Sequence, residues 1–262
     1  MDHPVPIDPT RPSPARIYDY HLGGAHNYAV DRRAAERVTA IMPELPLIIR
    51  ANRAFLHRAV RSLVDAGIRQ FLDLGSGIPT VGNVHQVAAP GSRVVYVDVD
   101  SVAVAHAQSL LAGHDDAGVV RADLRDVPSV LGAPEVRRLI DFARPVGVLM
   151  VAVLHFVPDR DDPAGIVAAY RDAVAPGSYL VVSHGAASED ERAPVTADAA
   201  ADAYSRSVSE FTLRTRSQVA GLFAGFELID PGVVYVNEWR PDDPGGEPAR
   251  RLAQLVGAGR KP

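Results

Sequence analysis

An apolar segment that runs directly into two closely spaced glycines constrains this chain more than any other feature. Residues 71–80 read FLDLGSGIPT, with Ser76 between Gly75 and Gly77. Glycine has no Cβ atom, so the backbone here can approach a ligand more closely than any other residue allows. A strand followed by such a turn and a helix is typical of a Rossmann-like domain that binds a nucleotide-like ligand. Tight turns that bind nothing also contain Gly-x-Gly, so the pair alone does not decide between these two interpretations.

Short apolar segments alternate with helical ones along the middle of the chain. Strands are predicted at 69–74, 93–97, 118–122, 146–154 and 178–183, and helices at 80–89, 101–112, 134–142 and 163–175. This alternation predicts an α/β fold in which helices cover both faces of a parallel sheet. The fourth strand, VGVLMVAVL, is apolar almost throughout, which indicates a central strand beside the first one.

The N-terminal quarter of the chain precedes this alternation. Residues 1–15 contain five prolines, which predicts an extended leader. A helical preface is expected over 16–67, with one helix that begins at Asp31 as its N-cap. A second helix over 47–66 is expected to end at Gly67, because glycine readily adopts the left-handed conformation that ends a helix.

The C-terminal quarter departs from the alternation of strands and helices. The polar, alanine-rich segment 185–210 predicts a helical insertion over the ligand-facing edge of the sheet. Further elements are expected as a helix at 217–223, strands at 226–229 and 233–237, and a last helix at 249–256. We therefore expect a single domain over 16–262 with its Rossmann-like core at 68–240, since one large core is usual at this length.

Composition disfavours several kinds of function. The 262 residues include no cysteine, which excludes disulfides, thiolate metal sites and a cysteine nucleophile, and fits a cytoplasmic protein. The nine histidines show no metal-ligand spacing, so no metal is expected. The formal net charge of −5 disfavours a nucleic-acid partner and favours a small or neutral substrate. No apolar stretch reaches the roughly 18 residues of a membrane span, and no secretion signal is visible.

Carboxylates follow the second and third predicted strands. Asp98 comes 21 residues after Gly77, where a carboxylate can accept hydrogen bonds from both hydroxyls of a ribose. The alternative for Asp98 is a helix N-cap, a role that Asp100 can take instead. Asp123 and Leu124 follow the third strand, where the carboxylate could receive the amino group of adenine and the amide could meet a ring nitrogen. A solvated loop aspartate is an equal alternative for Asp123.

The residues after the glycine turn bear on the kind of ligand. A dinucleotide fingerprint has a third glycine three residues after the second, and Thr80 stands there, next to Pro79. No lysine or arginine lies between Leu72 and Gln86 to receive a diphosphate. An adenosine-bearing ligand without phosphates fits better, and S-adenosylmethionine is such a ligand.

These residues together resemble the class I S-adenosylmethionine-dependent methyltransferases. The resemblance rests on the Asp73-x-Gly75-x-Gly77 turn, on Asp98, on Asp123-Leu124 and on Val-Leu-His-Phe after the fourth strand. More closely, the chain is similar to a bacterial family of S-adenosyl methyltransferases formerly known as a domain of unknown function. The strings that carry this second resemblance are SPARIYDYHLGGAHNYAVDR, ANRAFLHRAVR, DLGSGIPTVGNVHQVA, VVYVDVD and LFAGFELIDPGVVYVNEWRPD.

The resemblance implies a Rossmann-like, seven-stranded, mostly parallel sheet of order 3-2-1-4-5-7-6 whose last strand is antiparallel. It also implies S-adenosylmethionine as cofactor and S-adenosylhomocysteine as product, but no known acceptor. The class usually has another glycine two residues after Gly77, where this chain has Pro79. Because of this difference, the resemblance does not predict the geometry of the loop at the methionine end of the cofactor.

The segment 16–28 is dense in aromatic, amide, imidazole and glycine residues. We expect it to fold over the cofactor or to line the acceptor pocket, with Tyr18 or Tyr28 presenting a ring face to the sulfonium. Asn27 is a further candidate in this segment. An ordered loop that only packs on the sheet is the alternative.

Three residues outside the strand ends complete the candidate site. Asn52 falls inside the apolar stripe of its predicted helix, where a buried amide needs partners such as the ligand, the leader or backbone. Arg53 beside it could pair with the methionine carboxylate or lie on the surface. His155 follows the fourth strand and is the candidate proton acceptor, although methyl transfer mainly needs in-line placement.

The sequence thus predicts a methyltransferase that uses S-adenosylmethionine on a small-molecule acceptor, without nucleic acid or membrane. The alternatives are a non-catalytic S-adenosylmethionine-binding protein and, less favoured, an NAD(P)-dependent oxidoreductase. The candidate catalytic residue is His155, and the candidate cofactor-binding residues are Tyr18, Asn27, Asn52, Gly75, Ser76, Gly77, Asp98, Val99, Asp123 and Leu124.

Overall fold

The computed structural model describes residues 8–79, 82–188, 196–243 and 251–262. Thr80, at the position of the third glycine of a dinucleotide fingerprint, and 189–195 of the predicted insertion lie outside these residues. In the described part of the chain, no helix is long and apolar enough to cross a membrane.

One mixed sheet forms the centre of the molecule. Its strands are β1 (Gln70–Leu74), β2 (Arg93–Asp98), β3 (Ala117–Arg121), β4 (Gly147–Val151), β5 (Tyr179–Gly185), β6 (Glu227–Leu228), β7 (Val234–Tyr235) and β8 (Gln254–Arg260). The order is β3-β2-β1-β4-β5-β8-β6, and β7 also pairs with β8. Strands β1 to β5 are parallel, whereas β8 is antiparallel to β5, β6 and β7. Since β6 and β7 both pair with β8, they are two pieces of one interrupted strand, and the predicted order with an antiparallel last strand is confirmed.

The identity of the last strand differs from the prediction. The helix expected at 249–256 is wrong, because residues 254–260 form β8 in full register with β5. Two glycines allow β8 to pack closely on the turn that carries Phe223, since a Cβ at Gly257 or Gly259 would lie only 3.3 Å or 2.9 Å from the ring of that residue. The sheet therefore extends past residue 240, where the sequence analysis ends the core.

Helices cover both faces of the sheet. They are α1 (Pro14–His21), α2 (Ala29–Ile41), α3 (Leu45–Asp65), α4 (Val84–Val87), α5 (Ser101–Leu110), α6 (Val127–Gly132), α7 (Pro134–Leu139), α8 (Pro163–Ala173), α9 (Thr196–Ser207) and α10 (Arg216–Gly221). The helix predicted at 134–142 is present as α7, which ends at Leu139, and the unpredicted helix α6 precedes it with Ala133 between the two. Of the helix predicted at 80–89, the described residues contain only the single turn α4.

The predicted extended leader ends earlier than residue 15, and its residues 1–7 lie outside the described residues. Pro14 begins α1, which is compatible with its missing N–H because the first turn of a helix has no internal partner for that group. Asp31 is not the N-cap of α2. It is the third residue of the helix, which begins at Ala29.

Strand periodicity decides what faces the helical preface. Alternate side chains of a strand point to opposite faces, and Phe71 packs with α3 whereas Leu72 and Leu74 pack in the core on the other face. Asp73 is thus directed to the α3 face.

The same alternation applies to three other strands. It places Asp98, Ser183 and Gln254 on the α3 face, in step with buried Tyr96, Val181 and Val256. The helical preface and these four polar side chains of the sheet, Asp73 included, therefore meet on one face.

Candidate functional site

A cavity of about 830 Å³ lies at the carboxyl ends of β1, β2 and β4. Helices α1, α3 and α9 contribute to its walls. Ligand pockets generally have volumes of about 300–1,000 Å³, and open parallel sheets bind their ligands at the carboxyl ends of the strands. The predicted insertion thus contributes α9 to the ligand-facing side, as expected.

The glycine turn forms one wall of this cavity. Gly75 and Gly77 have φ angles of +74° and +67°, which L-residues with side chains rarely adopt. A Cβ at Gly75 would lie 2.2 Å from Val153 Cγ2, whereas a Cβ at Gly77 would meet no atom within 4 Å. Gly75 is therefore required for packing against the residues after β4, and Gly77 leaves open space beside the backbone.

Asp98 closes the turn from the second strand. Its Oδ2 accepts the Gly77 N–H at 2.7 Å and its Oδ1 accepts the Asp100 N–H at 2.8 Å. Burial is the main cause of a raised pKa for Asp98. Asp100 is the N-cap of α5 and accepts from Val102 N at 2.7 Å, so the capping role falls on Asp100 as expected. Each carboxylate oxygen of Asp98 thus uses one lone pair to order the turn. The remaining lone pairs can accept hydrogen bonds from ribose hydroxyls.

Val99 and Leu124 provide apolar surface beyond Asp98. Val99 is 63% exposed although it lines the cavity, and Leu124 is buried. Asp123 also lines the cavity, but Arg125 Nε contacts both of its oxygens at 3.0 Å. The Arg125 guanidinium lowers the pKa of Asp123. The carboxylate proposed for the adenine amino group is thus already paired with an arginine.

Asp73 is a cavity residue that the sequence analysis did not include among the ligands. It is 6% exposed, and burial raises its pKa to about 7, with repulsion from Asp98 adding to the shift and attraction to Arg53 opposing it. Arg53 of α3 donates from Nη2 to Asn83 Oδ1 at 3.1 Å, while its buried Nε has no hydrogen-bond partner among the described residues. A carboxylate and a guanidinium therefore lie at the same end of the cavity. The Asp73-x-Gly75-x-Gly77 pattern was the signal that could have identified Asp73.

A chain of buried hydrogen bonds connects α1 to the sheet. Asn52 Nδ2 donates to the Tyr18 hydroxyl at 2.9 Å, and Asn52 Oδ1 accepts from Ser183 Oγ at 2.6 Å. Gln254 Nε2 of β8 donates to the same Ser183 Oγ at 3.2 Å. Tyr18 and Asn52, both predicted to bind the cofactor, line the cavity, and their polar groups are satisfied by protein partners. Their contribution is to hold α1 and α3 at fixed positions beside the glycine turn.

Arg16, Ile17 and His21 also line the cavity, but residues 22–28 do not reach it. Asn27 Nδ2 donates to Asp19 Oδ2 at 2.9 Å and to the Gly24 carbonyl at 2.8 Å, so its amide stabilises a turn. Tyr28 stacks under the Arg16 guanidinium at 5.1 Å. Neither is among the lining residues, and the structure corrects both candidates for cofactor contact.

Asp31 anchors this segment. Its carboxylate accepts from Ser13 N at 2.9 Å, Arg16 Nε at 2.8 Å and Tyr28 N at 2.8 Å, entirely within the protein. A buried carboxylate with three donors holds the start of the chain against α2.

His155 lies in a turn just after β4 and lines the cavity. Its ring stacks on Phe211 at a centroid distance of 4.2 Å, and its buried Nδ1 has no partner among the described residues. Burial, with smaller effects of His184 and Arg214, holds the pKa of His155 well below 6.5. The imidazole is therefore neutral near pH 7.

Arg214 fixes the turn that carries His155. Its guanidinium is 3% exposed and donates to the carbonyls of Leu154 at 3.0 Å and Val157 at 2.9 Å. The same group contacts His184 Nε2 at 2.7 Å. No sequence pattern indicated this residue, because it lies 59 positions from the turn that it holds. In the described ranges, no three histidine, aspartate or glutamate side chains are grouped to bind a metal.

The donor set and the shape of the turn fit S-adenosylmethionine. Gly77 leaves space at the backbone, Asp98 retains acceptor capacity, and Val99 and Leu124 offer apolar surface for a flat base. Asp73 and Arg53 carry the charges opposite to those of an amino-acid end. Among the residues of the turn, none supplies a cation for a diphosphate.

The fold and this site define a class I S-adenosylmethionine-dependent methyltransferase. The sequence profile of the family described as S-adenosyl methyltransferase matches residues 1–262, and the chain belongs to that family. No curated protein matches the chain.

Solved structures agree with this assignment. The chain is 41% identical to a presumed methyltransferase from Thermobifida fusca, with a TM-score of 0.91 and 96% of each chain covered. It is also 41% identical to a DUF574 family protein from Streptomyces avermitilis, with a TM-score of 0.92, covering 98% of this chain and 100% of that one. Human N-acetylserotonin methyltransferase, solved with S-adenosylmethionine, is only 16% identical, with a TM-score of 0.51 over 96% of this chain and 63% of that chain, and shows the fold alone.

Proposed function

We propose that this protein transfers the methyl group of S-adenosylmethionine to a small molecule bound in the same cavity. The observation that carries the proposal is that one cavity joins the glycine turn to an apolar chamber. This apolar chamber is lined by Met42, Ile48, Phe156, Ala200, Tyr204 and Phe211. A polar end suits the cofactor, and a second, apolar end leaves room for an acceptor.

The chain's own residues would hold the cofactor as follows. Asp98 would accept from the ribose hydroxyls, and Val99 and Leu124 would flank the adenine, with Asp123 near its amino group. Arg53 would donate to the methionine carboxylate and Asp73 would accept from its ammonium group. When bound, S-adenosylmethionine supplies an electrophilic methyl group on a sulfonium and leaves as S-adenosylhomocysteine.

His155 would orient the acceptor. A neutral imidazole can accept a hydrogen bond from a hydroxyl or amine, which directs the lone pair of that group. The lowered pKa of His155 makes it a weak base, so its main contribution would be in-line placement of the nucleophile. Arg214 would act only by holding the turn that carries His155.

Two measurements test the proposal. Calorimetry should show S-adenosylhomocysteine binding that Asp98→Ala weakens strongly, and labelled methyl groups should then pass to the small-molecule fraction of a cell extract. Label in protein or nucleic acid alone would contradict a small acceptor. Tight binding without transfer to any fraction would favour the non-catalytic alternative.

We also propose a cytoplasmic setting without a nucleic-acid partner. The absence of cysteine and the formal net charge of −5 support this setting. Cell fractionation and a nucleic-acid binding assay at low salt would test it.

A further inference from the structure

Aromatic rings are grouped in the apolar chamber. The Phe211 ring is tilted only 25° from that of His155, and the Phe156 ring meets it edge-on at 5.5 Å and 85°. Tyr204 of α9 contacts the same ring at 5.4 Å and 60°. These rings belong to three separate segments of the chain, so tertiary structure assembles them. Aromatic groups prefer such offset-stacked and edge-to-face neighbours to aliphatic ones of equal area.

Charged side chains line a different part of the cavity. The charged residues that line the cavity, among those the structure describes, lie before Ile17, at Arg53 of α3, or at the carboxyl ends of β1, β2 and β3. None comes from α2, from α9, or from the described segments 151–157 and 208–213 that surround the apolar chamber. Arg16, the charged lining residue next to Ile17, is paired with the buried Asp31. A charged acceptor would thus lose water without gaining a counterion, which is strongly unfavourable.

Two histidines that line the cavity carry a buried ring nitrogen, and both are neutral. His21 Nε2 and His155 Nδ1 are buried, and neither has a hydrogen-bond partner among the described residues. Burial lowers the pKa of both histidines, so both rings are uncharged near pH 7. Buried polar atoms normally have partners, and a hydroxyl or amine of a bound molecule would supply them.

We propose that the acceptor is an uncharged aromatic molecule with a hydroxyl or amine substituent, and that its ring lies against Phe211 in the apolar chamber. This inference rests on the proposed function and names the substrate class of the same site. Methyl transfer would join the substituent's oxygen or nitrogen to the methyl carbon as the carbon–sulfur bond breaks. The bonding electrons stay on sulfur, and the substituent's proton leaves to water.

The test uses three probes that share one shape. With the protein saturated by S-adenosylhomocysteine, calorimetry compares 2-naphthol, 6-hydroxynaphthalene-2-sulfonate and decahydro-2-naphthol. We expect 2-naphthol to bind, the sulfonate to bind more than about tenfold more weakly, and the saturated alcohol to bind about 3- to 10-fold more weakly. Binding of the sulfonate or the saturated alcohol as tightly as 2-naphthol would overturn the inference. Phenol and indole serve as smaller aromatic probes, and failure of all three aromatic molecules to bind would also overturn it.

Matched variants assign the binding to the apolar chamber. Ala200→Leu places a larger side chain in the chamber, and Ala199→Leu makes the same change on the exposed side of α9. We expect the first to weaken 2-naphthol binding about tenfold and the second to leave it unchanged, with S-adenosylhomocysteine affinity equal in both. Phe211→Leu should abolish the preference for 2-naphthol over its saturated form, and equal behaviour of all three variants would refute the location.

These outcomes separate the two proposals. Failure of S-adenosylhomocysteine to bind the wild-type protein would remove the proposed function itself. Normal cofactor binding with the wrong probe preference would remove only the aromatic acceptor.

Discussion

Replacing Asp73 by asparagine tests whether this buried carboxylate receives the ammonium end of the cofactor. The side chain faces α3 because it alternates with Leu72 and Leu74 along β1, and burial there raises its pKa to about 7. An ammonium group binds the ionised carboxylate better than the neutral one. Cofactor affinity should therefore rise as the pH increases through 7, and fall as Asp73 becomes protonated below it.

The size of the effect follows from the titration. Between pH 7.5 and pH 6, the ionised fraction of a group with a pKa of about 7 falls from about three quarters to about one tenth, which weakens binding about eightfold. Burial lowers the pKa of His21 and His155, which disfavours their protonation, and burial raises the pKa of Asp98, whose protonation would change affinity in the same direction as that of Asp73. The informative quantity is therefore the difference in slope between wild type and Asp73→Asn.

Calorimetry with S-adenosylhomocysteine at four pH values measures this slope. Asp73→Asn should bind more weakly at pH 7.5 and lose most of the pH dependence, while adenosine, which lacks the amino-acid end, should show no difference between the two proteins. The variant should also melt at a higher temperature at pH 7.5. A raised carboxyl pKa means that the folded state holds a proton that the unfolded state releases, so ionisation destabilises the fold as pH rises from about 4 to 7. Equal pH slopes in wild type and Asp73→Asn would refute the proposed contact.

Three further predictions concern the glycine turn, the core and the turn that carries His155. Gly77→Ala should lower the free energy of unfolding by about 1–2 kcal/mol and weaken cofactor binding. Gly75→Ala should destabilise the fold more, because its Cβ would lie 2.2 Å from Val153, and equal thermal stability of the two variants would contradict this distinction. Trp239→Ala should lower the free energy of unfolding by about 3–5 kcal/mol in urea titrations, because the ring is fully buried and meets Phe55 edge-on at 5.2 Å. A loss under about 1 kcal/mol would show that neighbouring side chains move in to fill the space left by the ring. Arg214→Leu should lower the free energy of unfolding by about 3 kcal/mol, because it leaves the carbonyls of Leu154 and Val157 unpaired. Arg214→Lys should not restore this stability, and full rescue by lysine would show that charge alone matters.

Local sequence was sufficient for the central part of the fold. Strands β1 to β5 carry apolar runs separated by turn signals, and the glycines at 75 and 77 adopt the positive φ angles that the turn requires. Asp98 and Asp100 fall into their roles because each lies at a fixed offset from a strand end. For the same reason, the class of cofactor could be predicted before any contact was known.

Contacts between distant segments decided the rest. β8 reads as a helix in isolation and becomes a strand because β5 offers it an edge. Asn27 has the chemistry of a ligand contact, yet Asp19 and Gly24 take its hydrogen bonds. Asp123 follows β3 as expected, but its carboxylate is paired with the Arg125 guanidinium.

The sequence by itself determined strands β1 to β5, the glycine turn and the carboxylates at the strand ends, because these depend on the conformational and hydrophobic preferences of neighbouring residues. Only the tertiary structure decided that Arg53 lies near enough to Asp73 to affect its pKa, that Phe156 and Phe211 contact His155, and that Tyr204 packs on Phe211. Those residues are separated along the chain, and burial and charge at such a site arise only when the helices pack on the sheet.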